Sequence, residues 1–267
     1  MQKIVFIDID GTLRNSKREV TPRVAESVKR AGEKGIQVVL CSARSRKYTE
    51  MVKQACGAGA WMINSNGAEI YKGDTKEVLF AKSLPNEACK TLYTMATKHN
   101  IGLEMFTKDK IVYVNQSTVE IDQKEELREP IESFLENNPV VQCVIADENF
   151  TLMQSLKEQI EAIPHTEVKN RSKSLIYSHL PPKGLIYYNL NAKEASKGNA
   201  IKVLCNHLGI EKEHAIAIGD SVNDISMFEA VGHGIAMGNA LPIVKEHAHQ
   251  VIATNDQDGV AQFLDTL

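Results

Sequence analysis

Apolar residues in this chain come in short blocks separated by longer amphipathic stretches. The first block, Ile4-Val5-Phe6-Ile7, has the length of a buried strand. Thr21 as N-cap and Pro22 in the first turn then mark a helix start, and the helix runs to a stop near Gly35. A second block at 36–40 leads into Cys41-Ser42-Ala43-Arg44. The opening therefore reads strand, helix, strand, with a crossover long enough for parallel pairing. A helix over about 47–55, a short strand at 61–63 and the turn Asn64-Ser65-Asn66-Gly67 follow. The stretches 68–71 and 78–80 flank Gly73-Asp74 as a hairpin.

The rhythm then changes. A helix is expected at 86–99, two short antiparallel strands at 102–106 and 110–114, and a long acidic helical region, in one piece or two, over 119–136. Strand 140–145, helix 148–162 and strand-like pieces at 167–169 and 174–177 complete this stretch. Such a mixture predicts an α+β module inserted into the first domain, with Pro181-Pro182 as an exit loop or rigid turn. The opening rhythm returns with strand 185–190, helix 200–208 and strand 215–218, which ends in Gly219-Asp220-Ser221-Val222-Asn223-Asp224. Short helices and strands alternate to the closing helix at 260–264. The fold class expected is α/β: a doubly wound, mostly parallel Rossmann-like core sheet with helices on both faces, plus an inserted α+β cap. The boundaries that follow are core 1–81, cap 82–184 and core 185–267.

Composition narrows the function. The 267 residues suffice for one large core or two unequal domains. A formal charge of -3 with 31 basic residues, none of them densely clustered, argues against nucleic acid as a partner. Cys41, Cys56, Cys89, Cys143 and Cys205 are scattered without a paired spacing, which fits a reducing compartment rather than a disulfide framework. The eight histidines form no zinc pattern. No apolar stretch reaches membrane-spanning length and no basic leader opens the chain. A cytoplasmic protein with no membrane partner is expected, as a monomer or weak homodimer.

The chemistry concentrates at strand ends. Asp8 and Asp10 close the first strand, and two carboxylates there call for a compensating charge, since unpaired buried acids are costly. A shared cation at the carboxyl end of the strand supplies one, and hard oxygens suit Mg²⁺. The alternative is a polar strand end that caps the next segment. If the strands are parallel, Asp8/Asp10, Ser42, Asn66 and Asp220 converge on one sheet edge. Asp220, Asn223 and Asp224 read either as part of that metal site or as a helix N-cap. Ser42-Ala43-Arg44 could offer a hydroxyl and backbone N–H groups to an anion at a helix start, or simply cap that helix. Lys197, in Ser196-Lys197-Gly198, could offset charge beside a carboxylate pair and a phosphate, or lie in solvent.

Taken together, Asp8-Ile9-Asp10-Gly11-Thr12, Ser196-Lys197-Gly198, Gly219 to Asp224, Asn66-Gly67-Ala68 and Asp258-Gly259-Val260-Ala261 carry a resemblance. Along essentially its whole length the chain resembles the haloacid dehalogenase-like phosphohydrolases, Cof-type, with a type IIB cap. It departs at Ser42-Ala43-Arg44, where the family commonly has Thr-Gly-Arg. The resemblance implies a Mg²⁺-dependent phosphatase that passes through an aspartyl-phosphate. Asp8 would be nucleophile and Asp10 acid/base. The metal would be held by the Asp8 carboxylate, the Asp10 carbonyl and Asp220. Asp224 would orient metal-bound water or Lys197, and Ser42, Ala43, Lys197, Asn223 and Asn66 would hold the phosphoryl group or substrate. The cap would act as a lid that selects a small phosphorylated metabolite, a sugar phosphate or a cofactor phosphate. Glu104, Phe106, Tyr113, Arg171 and Lys173 are candidates for its inner surface. A sugar phosphomutase and a non-catalytic metabolite binder on the same fold are the competing functions.

Overall fold

A computed structural model describes residues 3–116, 124–170 and 184–267. The chain divides into two compact units, Met1–Ala81 with Ala195–Leu267, and Lys82–Glu194.

The first unit is built on an eight-stranded sheet. Its first half supplies β1 (Ile4–Asp8), β2 (Gln37–Cys41), β3 (Trp61–Asn64), β4 (Glu69–Lys72) and β5 (Glu77–Ala81). After the interruption come β12 (Ala215–Gly219), β13 (His233–Ala236) and β14 (Gln250–Val251). The order is β14-β13-β12-β1-β2-β3-β4-β5, parallel from β14 through β3 and antiparallel for the final hairpin. The chain builds outward from β1 in one direction and returns on its other side at β12, so a topological switch point lies between them. Residues 4–8 are all buried, as expected of a strand covered on both faces.

Local chemistry sets the helices. In α1 (Pro22–Glu33) the Thr21 hydroxyl accepts from the Val24 N–H at 3.2 Å, Pro22 sits in the first turn, and Gly35 follows at φ +79°. Beyond α2 (Arg46–Cys56), α6 (Lys197–Leu208) starts at Ser196, whose hydroxyl accepts from Asn199 N–H at 3.1 Å. Three short helices, α7 (Ile225–Ala230), α8 (Pro242–Glu246) and α9 (Gly259–Leu264), complete the unit.

The second unit carries a six-stranded sheet in the order β10-β11-β9-β6-β7-β8. Its strands are β6 (Gly102–Thr107), β7 (Ile111–Val114), β8 (Lys124–Glu126), β9 (Val140–Asp147), β10 (Thr166–Asn170) and β11 (Ile186–Ala192). Leu103, Met105, Cys143, Ile145, Tyr188 and Leu190 pack with Leu92, Phe134 and Leu156. The last three come from α3 (Asn86–His99), α4 (Ile131–Asn137) and α5 (Phe150–Glu161). The alternate positions mix in polar residues: Glu104, Gln142, Asn189 and Asn191 are buried too, beside Phe106 and Val144.

Two expectations change. Of the acidic stretch predicted as helix over 119–136, residues 119–123 lie outside the described residues, and the described part holds a strand at Lys124–Glu126, parallel to β7, and a helix from Ile131. Pro130 is the residue at which that helix begins, and an acidic edge strand satisfies its charges in water as readily as a helix does. The strand expected at 185–190 exists, but it pairs with β9 and β10 in the second unit's sheet, and the first unit resumes at Ala195. Its alternation shows why: Ile186, Tyr188 and Leu190 face the apolar core while Asn189 and Asn191 take the other face. That period of two belongs to an antiparallel sheet rather than to a doubly covered parallel one. The expected strand at 174–177, Pro181-Pro182, Arg171 and Lys173 lie outside the described residues. No helix of the described residues is long and apolar enough to cross a membrane.

Candidate active site

Parallel neighbours end on the same edge, so β12, β1, β2 and β3 bring Asp220, Asp8, Ser42 and Asn66 to one side of the sheet. Asp8 lies opposite Cys41, which Ser42 directly follows.

At the centre is a buried acidic cluster. Oxygens of Asp8, Asp220 and Asp224 lie within 4.8 Å of one another. Lys197, fully buried at the start of α6, bridges two of them: its Nζ donates to Asp8 Oδ1 and, at 2.6 Å, to Asp224 Oδ1. The other Asp224 oxygen accepts the backbone N–H groups of Asp220 at 3.0 Å and Ser221 at 2.9 Å. Asp224 thus closes the capping box of its loop, with Ser221 as the N-cap, and belongs to the charged cluster at once. Asp220 Oδ1 accepts from the Thr12 hydroxyl at 2.9 Å.

Glycine is required where backbone meets these groups. Gly11 has φ +92°, and a Cβ there would stand 2.5 Å from Asp220 Oδ2. At Gly67, φ +93°, a Cβ would stand 2.1 Å from the Ser196 carbonyl, so the Asn66 turn closes directly onto the start of α6. Asn223 donates from Nδ2 to Asn66 Oδ1 at 2.9 Å, which joins two predicted substrate-binding residues. Ser42 is buried beside Ala43; its Oγ accepts from Arg44 N–H at 3.0 Å and its carbonyl accepts from Asn66 N–H at 3.0 Å.

Asp10 lies apart from the acidic cluster. Its carboxylate accepts from Arg44 Nε at 3.0 Å and the Tyr48 hydroxyl at 3.0 Å, with Arg14 Nη1 at 3.4 Å. The two strand-end acids are accordingly pushed in opposite directions. Burial raises Asp8 well above the usual carboxylate range; Lys197 opposes this, and the charges of Asp224 and Asp220 add to it. Burial pushes Asp10 up as well, but Arg44, the Tyr48 hydrogen bond and Arg14 more than offset it and hold the group below the ordinary value. The Lys197 ammonium is disfavoured by burial, yet Asp224 and Asp8 keep it firmly protonated.

These residues fit a metal ion. Three buried carboxylates lie around the buried Lys197 ammonium, and a hard divalent cation would offset the burial and the neighbouring negative charge that together lift Asp8. Sequence reasoning placed the components correctly on the sheet edge but missed the Arg14–Tyr48–Arg44 group around Asp10. No local spacing links Tyr48 to Asp10, whereas Arg44 and Thr12 stand within Ser42-Ala43-Arg44 and Asp8-Ile9-Asp10-Gly11-Thr12.

A family model described as haloacid dehalogenase-like hydrolase matches residues 5–264. The chain belongs to the haloacid dehalogenase-like hydrolases. Phosphatase YwpJ of Bacillus subtilis is 30% identical to it, over 98% of this chain and 98% of that protein. The 5-amino-6-(5-phospho-D-ribitylamino)uracil phosphatase YwtE of the same organism is also 30% identical, over 99% of this chain and 98% of that protein. The crystal structure of a haloacid dehalogenase-like hydrolase from Bacteroides thetaiotaomicron superposes with a TM-score of 0.79 at 27% identity, covering 100% of this chain and 99% of the other. Within the haloacid dehalogenase-like hydrolases the chain falls in the Cof-type branch, with an α/β cap domain. Its fold and aspartate cluster support phosphohydrolase activity and are consistent with aspartyl-phosphate chemistry.

Proposed function

We propose that this protein is a Mg²⁺-dependent phosphatase that hydrolyses a small phosphorylated metabolite through a phosphoryl group carried on Asp8. The observation that carries the reading is the buried ammonium of Lys197 set between Asp8 and Asp224, with Asp220 beside them. A phosphate dianion approaches a carboxylate nucleophile only where positive charge offsets both.

Asp8 attacks phosphorus in line; the Asp8–phosphorus bond forms as the bond to the leaving oxygen breaks. Asp10 gives that oxygen its proton. In the second half Asp10 takes a proton from the attacking water, the Asp8–phosphorus bond breaks, and inorganic phosphate leaves. Arg44, Tyr48 and Arg14 favour ionised Asp10, the form the second half needs, and an arriving phosphate dianion raises it toward the protonated form the first half needs. Lys197 holds Asp8 in place and offsets the charge of the phosphoryl group. Ser42, the backbone at Ala43, Asn223 and Asn66 are the groups proposed to orient phosphate or substrate. Asp8, Asp220 and the Asp10 carbonyl would hold Mg²⁺, with Asp224 supporting Lys197 and the ligand loop; when bound, the ion neutralises phosphoryl charge and fixes the in-line geometry.

The name of the relative YwtE includes a phosphorylated ribityl chain, which supports a substrate of that size, a sugar phosphate or cofactor phosphate. The inserted second unit, the cap, is the proposed source of substrate choice. Phosphate release from a panel of small phosphate esters tests the reading. Release with Mg²⁺ that is lost with EDTA and in Asp8→Asn is expected; release that survives both treatments would refute it. Isomerised sugar phosphate without net release would make the protein a phosphomutase instead.

A further inference from the structure

The segment around Asp258-Gly259, which the proposed chemistry leaves without a task, is tied by hydrogen bonds to the loop that follows β1. Gly11 is where that loop turns. It has no side chain, and the 2.5 Å approach of Asp220 leaves no space for one. Its carbonyl is the remaining handle, and Asn239 takes it: Nδ2 donates to the Gly11 oxygen at 2.8 Å. Asn239 Oδ1 in turn accepts the Asn255 N–H at 3.0 Å. Asn255 then repeats the grip, donating from its Nδ2 to the Arg14 carbonyl at 2.8 Å. Further along, Asp256 accepts the Ser16 N–H at 2.8 Å and Asp258 the Thr21 hydroxyl at 2.7 Å.

The two carbonyls held by amides bracket the residues that touch the acids. Thr12, next after Gly11, donates to Asp220. Arg14 reaches the Asp10 carboxylate from its side chain, while its N–H donates to the Ile9 carbonyl at 3.0 Å. We propose that Asn239 and Asn255 form an amide bridge that positions the loop carrying Asp10, Thr12 and Arg14 for the phosphoryl-transfer reaction. They are positioning residues; neither touches the acids. The amide is needed because Asn239 must donate at one end and accept at the other, which neither a carboxylate nor a hydrocarbon does. Asn239→Asp keeps the acceptor for Asn255 N–H but sets a carboxylate oxygen against the Gly11 carbonyl.

The inference rests on the phosphatase reading, so the test has one readout that requires activity and one that does not. Asn239→Asp, Asn239→Ala and Asn239→Asp/Asn255→Asp would be compared with the unaltered chain. Steady-state hydrolysis of para-nitrophenyl phosphate with Mg²⁺ is the first readout; hydrogen exchange of the peptide spanning 9–16, together with the melting temperature, is the second. Asn239→Asp is expected to lower kcat about 10- to 100-fold, the cost of slight misplacement of reacting groups, with KM within about threefold because uniform binding is untouched. Asn239→Ala should lower kcat less, and the double variant, which also sets a carboxylate against the Arg14 carbonyl, should lower kcat at least as far as Asn239→Asp. Exchange should quicken in 9–16 while the rest of the chain and the melting temperature hold. Unchanged kcat, a loss carried by KM, or a general drop in protection and melting temperature would each overturn the bridge. If the unaltered chain hydrolyses nothing, the phosphatase reading fails, and exchange at 9–16 still decides whether the amides hold the loop: faster exchange in Asn239→Asp supports it, unchanged exchange refutes it.

Discussion

Asp8 and Asp10 leave the same strand, and their surroundings are opposite in sign. Asp8 lies among two other buried acids with one ammonium against all three, and its carboxyl is raised. Asp10 faces two guanidinium groups and a phenol, and its carboxyl is lowered. Neighbours in sequence thereby become different reagents. The first is an anion site short of positive charge, ready for a metal and a phosphate. The second is a carboxylate held in solvent reach by fixed donors, suited to exchanging protons.

The largest effect should come from the buried Lys197 ammonium on the Asp8 side. Lys197→Met strips Asp8 and Asp224 of their partner, and phosphate release should fall about a thousandfold, as when a preorganised donor is removed from a reaction centre. Leaving buried charge unpaired should also cost roughly 3–5 kcal/mol of stability, read as a lower denaturation midpoint. Activity within tenfold of the unaltered chain would erase the distinction between the two acids.

On the Asp10 side the expected loss is smaller and depends on the leaving group. Asp10→Asn should slow hydrolysis of an alkyl phosphate about a hundredfold, and that of para-nitrophenyl phosphate less, because nitrophenolate departs without a proton. Equal losses on both esters would contradict an acid role.

Stability against pH separates the pair further. A raised carboxyl in the folded chain keeps a proton that the unfolded chain sheds near about 3.9. Metal-free stability linked to Asp8 therefore falls as pH rises from there through its folded pKa. Mg²⁺ displaces that proton, so the rise in melting temperature on adding Mg²⁺ should grow with pH across the same window. Asp10 runs the other way: its contribution is full above about 3.9 and is lost as pH falls through its lowered pKa. A Mg²⁺ effect that is the same at every pH would remove the charge surplus from the account.

The smallest effect belongs to Tyr48. Tyr48→Phe deletes one donor to Asp10, which should move the acidic limb of kcat, where the second half needs ionised Asp10, to higher pH. At the optimum kcat should stay within about fivefold, the worth of one hydrogen bond. An unmoved limb would mean that Tyr48 does not act on Asp10.

What could be read from sequence follows the range of the interactions. Thr21-Pro22 marks the start of α1 to the residue because capping is local. The acids reach one edge because apolar runs with crossovers between them predict parallel strands, and parallel strands share an end. The environment of Asp10 was hidden, since Tyr48 is brought to it by the packing of α2 rather than by spacing. The same holds for Asn239 and Asn255, whose partners lie more than 200 residues earlier. The acidic segment at Lys124–Glu126 misled because charge without apolar periodicity distinguishes poorly between an edge strand and a helix.

The central claim is that Asp8, and not Asp10, takes the phosphoryl group. Turnover of a good substrate with Mg²⁺ would be stopped in acid within the first cycle, and the peptides mapped by mass. A phosphoryl adduct on Asp8, absent when Asp8→Asn is treated the same way, is the predicted result. Turnover with no adduct on the chain, or an adduct on Asp10, would contradict it.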